Sequence, residues 1–404
     1  MKYASLVDRI AGKGARAWDT HSLASQRLEE GGDVIMLSVG DPNFDTPEPI
    51  VEAAVASLRN GRHHYAPVDG ALPLRQAIAD YHGRIAGQKV GPDNVIVLAG
   101  AQNGLMVAAL CLLEPGDEVI SPEPMYVTYE GVIGATGAKL VTVPTRPEDD
   151  FQVNPARIEE AVGPNTRAVL INTPNNPTGA VLRADVIKGL ADVCRRRDLW
   201  LICDEVYAAL TFDAPHVSPS AIAGMADRAV TISSLAKSHA MTGWRLGWMI
   251  GPEELIDHAS ELACAMLYGS PQFIQDAGIP ALTLEMTELE AMKREYRTRR
   301  DTVCASLNAI DGLSVHKPEG GMFVMLDIRA TGLTCQDFME QLFESEGVSV
   351  LAGEPFGPSA AGHMRITLAA SQAELDEGCR RIAHFVEGLR GAQAPAQNRT
   401  AVSP

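Results

Sequence analysis

The chain has 404 residues, 46% hydrophobic, 21% charged and 5% aromatic, the balance of a globular protein long enough for two or three units with sizeable cores. A formal charge of -17 repels phosphate backbones and anionic lipid surfaces, which sets nucleic acid and membranes aside as partners and leaves small metabolites. No stretch approaches the roughly 20 apolar residues that span a bilayer, and Met1 to Ile10 holds no apolar run behind a basic end, so a cytoplasmic protein is expected. Residues 1–45 read as an N-terminal segment that belongs with a smaller C-terminal unit. Within them Gly12-Lys13-Gly14-Ala15-Arg16-Ala17 fits a loose GxGxxA pattern, but no strand precedes it, so it is set aside as a nucleotide site. From about residue 95, short β-rich runs alternate with helical stretches: Val95-Leu98, Glu118-Ser121, Lys139-Val143, Ala168-Asn172, Trp200-Cys203, Ala229-Ile232 and Leu246-Ile250. That alternation predicts a large α/β domain over 46–285 with a mostly parallel central sheet flanked by helices. The charged, Gly/Pro-free segment Glu285-Ala309 predicts a long helix. The runs Met322-Ile328, Val348-Leu351 and Met364-Leu368, separated by helices, predict a smaller α+β domain over 286–390. Residues 391–404 have little to bury and read as a flexible tail, where the sequon Asn398-Arg399-Thr400 is silent without a secretory signal.

Seven scattered cysteines with no CxxC pair, and ten histidines with no HExxH, give neither a disulfide framework nor a metal site. The chemistry concentrates just after strand ends, where open α/β sheets bind ligands. Ser233-Ser234-Leu235-Ala236-Lys237-Ser238-His239-Ala240-Met241-Thr242-Gly243-Trp244-Arg245 encloses one lysine among hydroxyls, small residues and an arginine, a setting in which an amine loses its proton more readily and attacks a carbonyl. Asp204, closing the apolar run Leu201-Ile202-Cys203, is expensive to bury unless a cation meets it; capping a following helix is the plain structural alternative. Asn176 sits in the rigid loop Thr173-Pro174-Asn175-Asn176-Pro177-Thr178-Gly179, where a turn role is the alternative. Leu98-Ala99-Gly100-Ala101-Gln102 joins a strand to a helix and can offer backbone N–H groups to an anion.

At these motifs, and over nearly its whole length, the chain resembles the class I/II aminotransferases, fold-type I enzymes that use pyridoxal 5′-phosphate (PLP). The resemblance implies that Lys237 holds the cofactor as a Schiff base and then serves as the base, that Asp204 keeps the pyridine nitrogen protonated, and that Tyr207 and Asn176 contact the ring's O3′. Alignment on Pro-Thr-Gly chooses Asn176 and leaves Asn175 to the loop. It further implies that Ser234, Arg245 and the cup at Ala101 and Gln102 bind the phosphate, that Tyr126 stacks on the ring, and that Tyr65 reaches the phosphate of a neighbouring subunit in a homodimer. Arg365 would grip the substrate α-carboxylate beside Gly40, with Phe323 either a pocket wall or a core aromatic.

The implied reaction moves an α-amino group from an L-amino acid to a 2-oxo acid such as pyruvate. The same scaffold also supports carbon–sulfur β-lyases and amino acid oxidases, and a non-catalytic ligand sensor is the reading from another class. Glu123-Glu130, Lys237-Trp248, Cys264-Ala277 and Gly347-Arg365 are most similar to bacterial arginine:pyruvate transaminases, implying arginine or another basic donor. A guanidinium wants a carboxylate opposite Arg365, and Asp19 beside Trp18 is the candidate, with capping of the next helix as its alternative.

Overall fold

The computed structural model describes residues 2–11 and 18–393, with side chains of 391–393 excepted, so the Gly12–Ala17 pattern, the Asn398 sequon and nearly all of the expected tail lie outside the described residues. In chain order the strands are β1 (Ile35–Met36), β2 (Val95–Leu98), β3 (Glu118–Glu123), β4 (Lys139–Pro144), β5 (Thr166–Asn172), β6 (Trp200–Asp204), β7 (Ala229–Ser234), β8 (Gly247–Ile250), β9 (Ser314–Val315), β10 (Phe323–Asp327), β11 (Val348–Ser349), β12 (Leu351–Ala352) and β13 (His363–Thr367). Seven of them form one sheet in the order β2-β8-β7-β6-β5-β3-β4. Strands β3 to β7 run parallel where they pair, and β8 alone runs against both its neighbours.

The central strands are apolar along their length because helices cover both faces. Alternate residues of β2 show the division: Ile96 and Leu98 join the cluster built on helix Ala101–Leu112, whereas Val95 and Val97 pack with helices Leu72–Ala86 and Gln272–Thr283. Helix Ala184–Arg197 places Val186, Ile187 and Leu190 against Val169 and Leu201 of β5 and β6. Among the described residues no helix is long and apolar enough to cross a membrane.

A second core gathers Leu326, Phe338, Leu342, Val348, Ile366 and Ile382 around an antiparallel sheet ordered β12-β13-β10-β9, with helices Thr287–Asn308, Cys335–Glu346 and Gln372–Gln393 packed on it. The run expected as one strand, Val348–Leu351, is divided. Val348 and Ser349 pair in parallel with Ile35 and Met36, while Leu351 and Ala352 pair antiparallel with β13. The break at Val350 lets one buried stretch serve two sheets.

The N-terminal segment is divided too. Arg27 reaches Glu344 at 3.0 Å and lies over the Phe343 ring, and β1 completes the small sheet. Helix Leu6–Ala11, in contrast, lies on helix Tyr129–Thr136 of the large core, where Arg Nε of residue Arg9 donates to Gly134 O at 2.9 Å. A Cβ at Gly131 or Gly134 would stand 2.9 or 2.8 Å from the backbone oxygens of Ile10 and Arg9, so the two helices touch only because both positions are glycine.

Candidate active site

Because β2, β5, β6 and β7 point the same way, the polar residues that follow them emerge along one sheet edge. There a cavity of about 350 Å³ opens, bounded on its other side by Phe323 of β10 and Arg365 of β13. It is lined by Lys237, Asp204, Tyr207, Asn176, Ser234 and Arg245, and also by Ala101, Gln102, Tyr126, Gly40 and Trp18. Residues separated by up to 347 positions in the chain thus share one space.

Asp204 lies at the floor, 5% exposed. Its Oδ2 accepts from Tyr129 Oη at 2.8 Å and its Oδ1 from the Val206 amide at 3.3 Å, and no cation meets it among the described residues. Burial pushes its carboxyl up to about 6, against the lowering by those two hydrogen bonds. Tyr129 is itself buried and escaped the sequence reading; its only signal is the helical spacing of three from Tyr126, with which its ring makes an edge contact at 5.8 Å.

Asn172 escaped it as well. Its Nδ2 donates to Asp204 O at 2.8 Å and its Oδ1 accepts from the Asn176 amide at 2.7 Å, so one side chain ties the end of β6 to the loop after β5. A polar residue closing a buried strand calls for partners as Asp204 does, and that argument could have found it. The two adjacent asparagines meet different partners. Asn175 Oδ1 accepts from the Thr178 amide and hydroxyl at 3.1 and 2.8 Å, while Asn176 Oδ1 accepts from Arg365 Nη1 at 3.1 Å.

Arg365, 1% exposed, donates from Nη2 to Ser38 O at 2.6 Å, and its guanidinium carbon lies 4.1 Å from the Phe323 ring centroid and 5.0 Å from that of Phe356. Phe323 is therefore wall and core at once. Nε of Arg365 is buried with no partner, and no carboxylate pairs with this cation among the described residues. Burial draws its pKa down to about 10.

Lys237 Nζ donates to Gly40 O at 2.6 Å. Burial first, then the charges of Arg365 and Arg245, bring its ammonium down to about 8 against the opposing pull of Asp41. Gly40 has no alternative: a Cβ there would stand 2.3 Å from the Phe323 ring. Burial raises the Tyr207 hydroxyl well above its ordinary range, so it stays protonated as a donor.

At the other end of the cavity Arg245 donates from Nη1 to Thr242 O at 2.8 Å and from Nη2 to Ala99 O at 3.3 Å. Gly100, at φ 84°, lies so close that a Cβ would fall 2.4 Å from Nη2. Ala101 begins the helix beyond it, so helix N-terminus, guanidinium and Ser234 at the end of β7 all line the one cavity, and each can offer donors to an anion there. The Gln102 side chain accepts from Thr128 Oγ1 at 3.0 Å.

Two expected residues lie outside this cavity. Tyr65 is 80% exposed, edge-on to Tyr268 at 4.9 Å, and does not line the site of its own chain. Asp19 occupies the first position of helix Asp19–Glu29 and is exposed to solvent, whereas its neighbour Trp18 turns inward and lines the cavity. Adjacent helical residues project about 100° apart, and the turn that brings the indole in carries the carboxylate out, away from the place where the sequence reading has it meet a guanidinium. Nor does Asp19 cap the helix, since Trp18 holds the capping position without a side-chain bond.

Residues 32–382 match the family of class I and II aminotransferases. The chain belongs to that family. It is 54% identical to the arginine–pyruvate transaminase of Pseudomonas aeruginosa over 97% of its own length and 100% of that protein, and 37% identical to the aspartate aminotransferase of Pyrococcus horikoshii over 90% and 93%. The solved structure of the Thermus thermophilus aspartate aminotransferase with maleate superposes with a TM-score of 0.91 at 33% identity, covering 95% of this chain and 100% of that one. This aminotransferase moves an amino group from an amino acid to a 2-oxo acid, and its cofactor is PLP. The residues fit that group: a buried carboxylate that no cation meets among the described residues, a cup around Arg245 that any Cβ at Gly100 would fill, and an amine lining the same cavity.

Proposed function

We propose that the enzyme takes its amino group from an L-amino acid with a basic side chain, arginine foremost, and gives it to pyruvate. The observation that carries this is the convergence of Lys237, Asp204 and Arg365 in one cavity of a chain 54% identical to an arginine–pyruvate transaminase.

In this reading Arg245, Ser234 and the backbone at Ala101 and Gln102 hold the PLP phosphate, Tyr126 covers the ring, Tyr207 and Asn176 meet O3′, and Asp204 pairs with the ring nitrogen. When bound, PLP supplies an aldehyde that condenses with amines and a ring that draws electrons from the adjacent carbon. The chain does the rest. Lys237 is the amine that anchors the aldehyde, and near neutral pH its lowered pKa leaves roughly a tenth of it neutral when free, enough for Nζ to take the substrate α-proton and hand it back. Arg365, buried and with no carboxylate partner among the described residues, receives the α-carboxylate and holds the α-carbon near Nζ. Its existing donations to Ser38 O and Asn176 Oδ1 fix the plane of the guanidinium before substrate arrives.

Of the acidic residues lining the cavity, Asp204 is committed at the floor and Asp41 is exposed. A guanidinium side chain meets Asp41, with Trp18 as a stacking face, in place of the expected pairing with Asp19. We further take 46–285 and 286–390 as large and small domains of a cytoplasmic homodimer in which the exposed Tyr65 completes the partner's phosphate site. The test is a donor survey against pyruvate, reading alanine formed. Arginine should exceed aspartate in kcat/KM by at least ~10-fold, a difference a single pocket group supplies; aspartate exceeding arginine would overturn the donor assignment.

A further inference from the structure

Directly after Asp204 stands a second carboxylate that the site does not use. Glu205 is 1% exposed and does not line the cavity. Its Oε2 lies 3.1 Å from His216 Nε2, and Ser218 Oγ donates to Oε1 at 2.6 Å. The arrangement continues inward: Ser218 Oγ is 2.8 Å from Ser220 Oγ, which is 3.1 Å from His82 Nε2, itself 2.9 Å from Gln88 Oε1. A carboxamide oxygen only accepts, so His82 carries its proton on Nε2. The side chains of the ion pair are 5% and 1% exposed, and His216 Nδ1 is buried without a partner, which leaves Glu205 as the ionic partner of that ring among the described residues.

Two carboxylates on consecutive residues, both out of water, oppose each other's ionisation. Glu205 adds to the effects that push the Asp204 carboxyl up. Burial pushes Glu205 up as well, yet the charge of His216 and the hydrogen bonds from His216 and Ser218 bring it below its ordinary range, with His82 acting in the same direction. The Cys203 thiol, held far above its usual range by burial and by Glu205, stays neutral and offers no compensation. The positive charge available beside Glu205 is therefore histidine.

We propose that Glu205 and a protonated His216 form a charge-compensating pair whose function is to let Asp204 stay ionised for the cofactor. The pair touches neither cofactor nor substrate; both are positioning residues that act through Asp204. This rests on the reading that Asp204 pairs with the PLP ring nitrogen.

The experiment titrates apo-protein with PLP by absorbance near neutral pH in four proteins: unmodified, H216Q, E205Q and E205Q/H216Q. Glutamine keeps a donor near Glu205 Oε2 and removes the charge. H216Q is expected to weaken PLP binding ~10-fold, the equivalent of about two pKa units at Asp204, which takes it from mostly ionised to mostly protonated near pH 7. In the E205Q background, where no charge needs compensating, the same substitution should change PLP affinity less than about twofold. An equal loss in both backgrounds, or no loss in either, overturns the proposal. If H216Q does not fold, 15N-histidine NMR of the unmodified holoenzyme decides: a neutral His216 near neutral pH overturns it, a protonated one supports it. Asp204→Asn separates the two readings. If that change leaves PLP affinity intact, the role of Asp204 fails and the pair's role with it; if it weakens PLP while H216Q does not, the pair alone fails.

Discussion

Replacing Tyr129 with phenylalanine removes one oxygen and with it the 2.8 Å hydrogen bond to Asp204 Oδ2, while keeping the ring that packs against Tyr126. Both partners are buried, so no water takes the hydroxyl's place at bulk cost. A hydrogen bond to an ionised acceptor contributes about 1.5–3 kcal/mol, or one to two pKa units. The bond favours the ionised form, hence its loss raises the pKa. Asp204, now at about 6, should move to roughly 7–8 and fall at neutral pH from mostly ionised to half ionised or less. A carboxyl that has kept its proton does not pair with a protonated ring nitrogen. PLP should then bind roughly 2- to 10-fold more weakly at about pH 7, and the deficit should all but vanish near pH 9, where the variant's Asp204 also ionises. Absorbance titration of apo-protein at the two pH values reads both effects. Affinity equal to that of the unmodified protein at the lower pH, or a deficit that ignores pH, would refute the chain of reasoning from buried hydroxyl to cofactor.

Other outcomes follow from single contacts. Lys237→Ala should abolish turnover while PLP still binds noncovalently, seen as loss of the cofactor band that borohydride traps; retained transamination would remove Lys237 from its role. Arg365→Lys exchanges a flat, buried fork for a point charge and should lower kcat/KM ~100-fold, mainly through KM, with PLP affinity changed little; equal losses in both would mean that Arg365 serves the fold and not the carboxylate. Gly100→Ala places a Cβ 2.4 Å from Arg245 Nη2 at φ 84°, and should weaken PLP binding at least ~10-fold through the displaced guanidinium; unchanged affinity would mean that the phosphate sits elsewhere. Asp41→Asn should lower kcat/KM for arginine ~10-fold relative to alanine, the ratio cancelling any effect through Lys237; an unchanged ratio would remove Asp41 from donor recognition.

What could be read from sequence was whatever is local to a strand end. Lys237, Asp204, Asn176 and Arg245 each lie within a loop or turn whose apolar run announces it, and strands β2 to β8 fall where apolar runs are bounded by turn residues. What could not be read needed a rotation or a partner. Asp19 and Trp18 are neighbours in sequence, yet which of them faces the cavity depends on how helix Asp19–Glu29 is turned against the small core. Tyr129 looks like packing until Asp204 is known to lie against it. Val348–Leu351 gave no sign of its division, since all four residues are buried and no glycine or proline marks the crossing from one sheet to the other.

The groups that would act on substrate are also the groups the fold holds at a cost. Asp204, with its pKa raised to about 6, is protonated more readily in the fold than in the unfolded chain, so its penalty is absent at low pH and fully present above about 6. Lys237, lowered to about 8, shows the opposite sense: its penalty is absent at high pH and fully present below about 8. Between those values both charges are carried at once, and Arg365 adds a third that no carboxylate meets among the described residues. This is a window around neutrality. A ligand that brings a ring nitrogen to Asp204, an aldehyde to Lys237 and, with substrate, a carboxylate to Arg365 relieves all three, and whatever relief it gives the folded state appears as binding free energy. The strand ends of the seven-stranded sheet and the two inner strands of the four-stranded sheet, β10 and β13, supply the lining of this cavity from opposite sides.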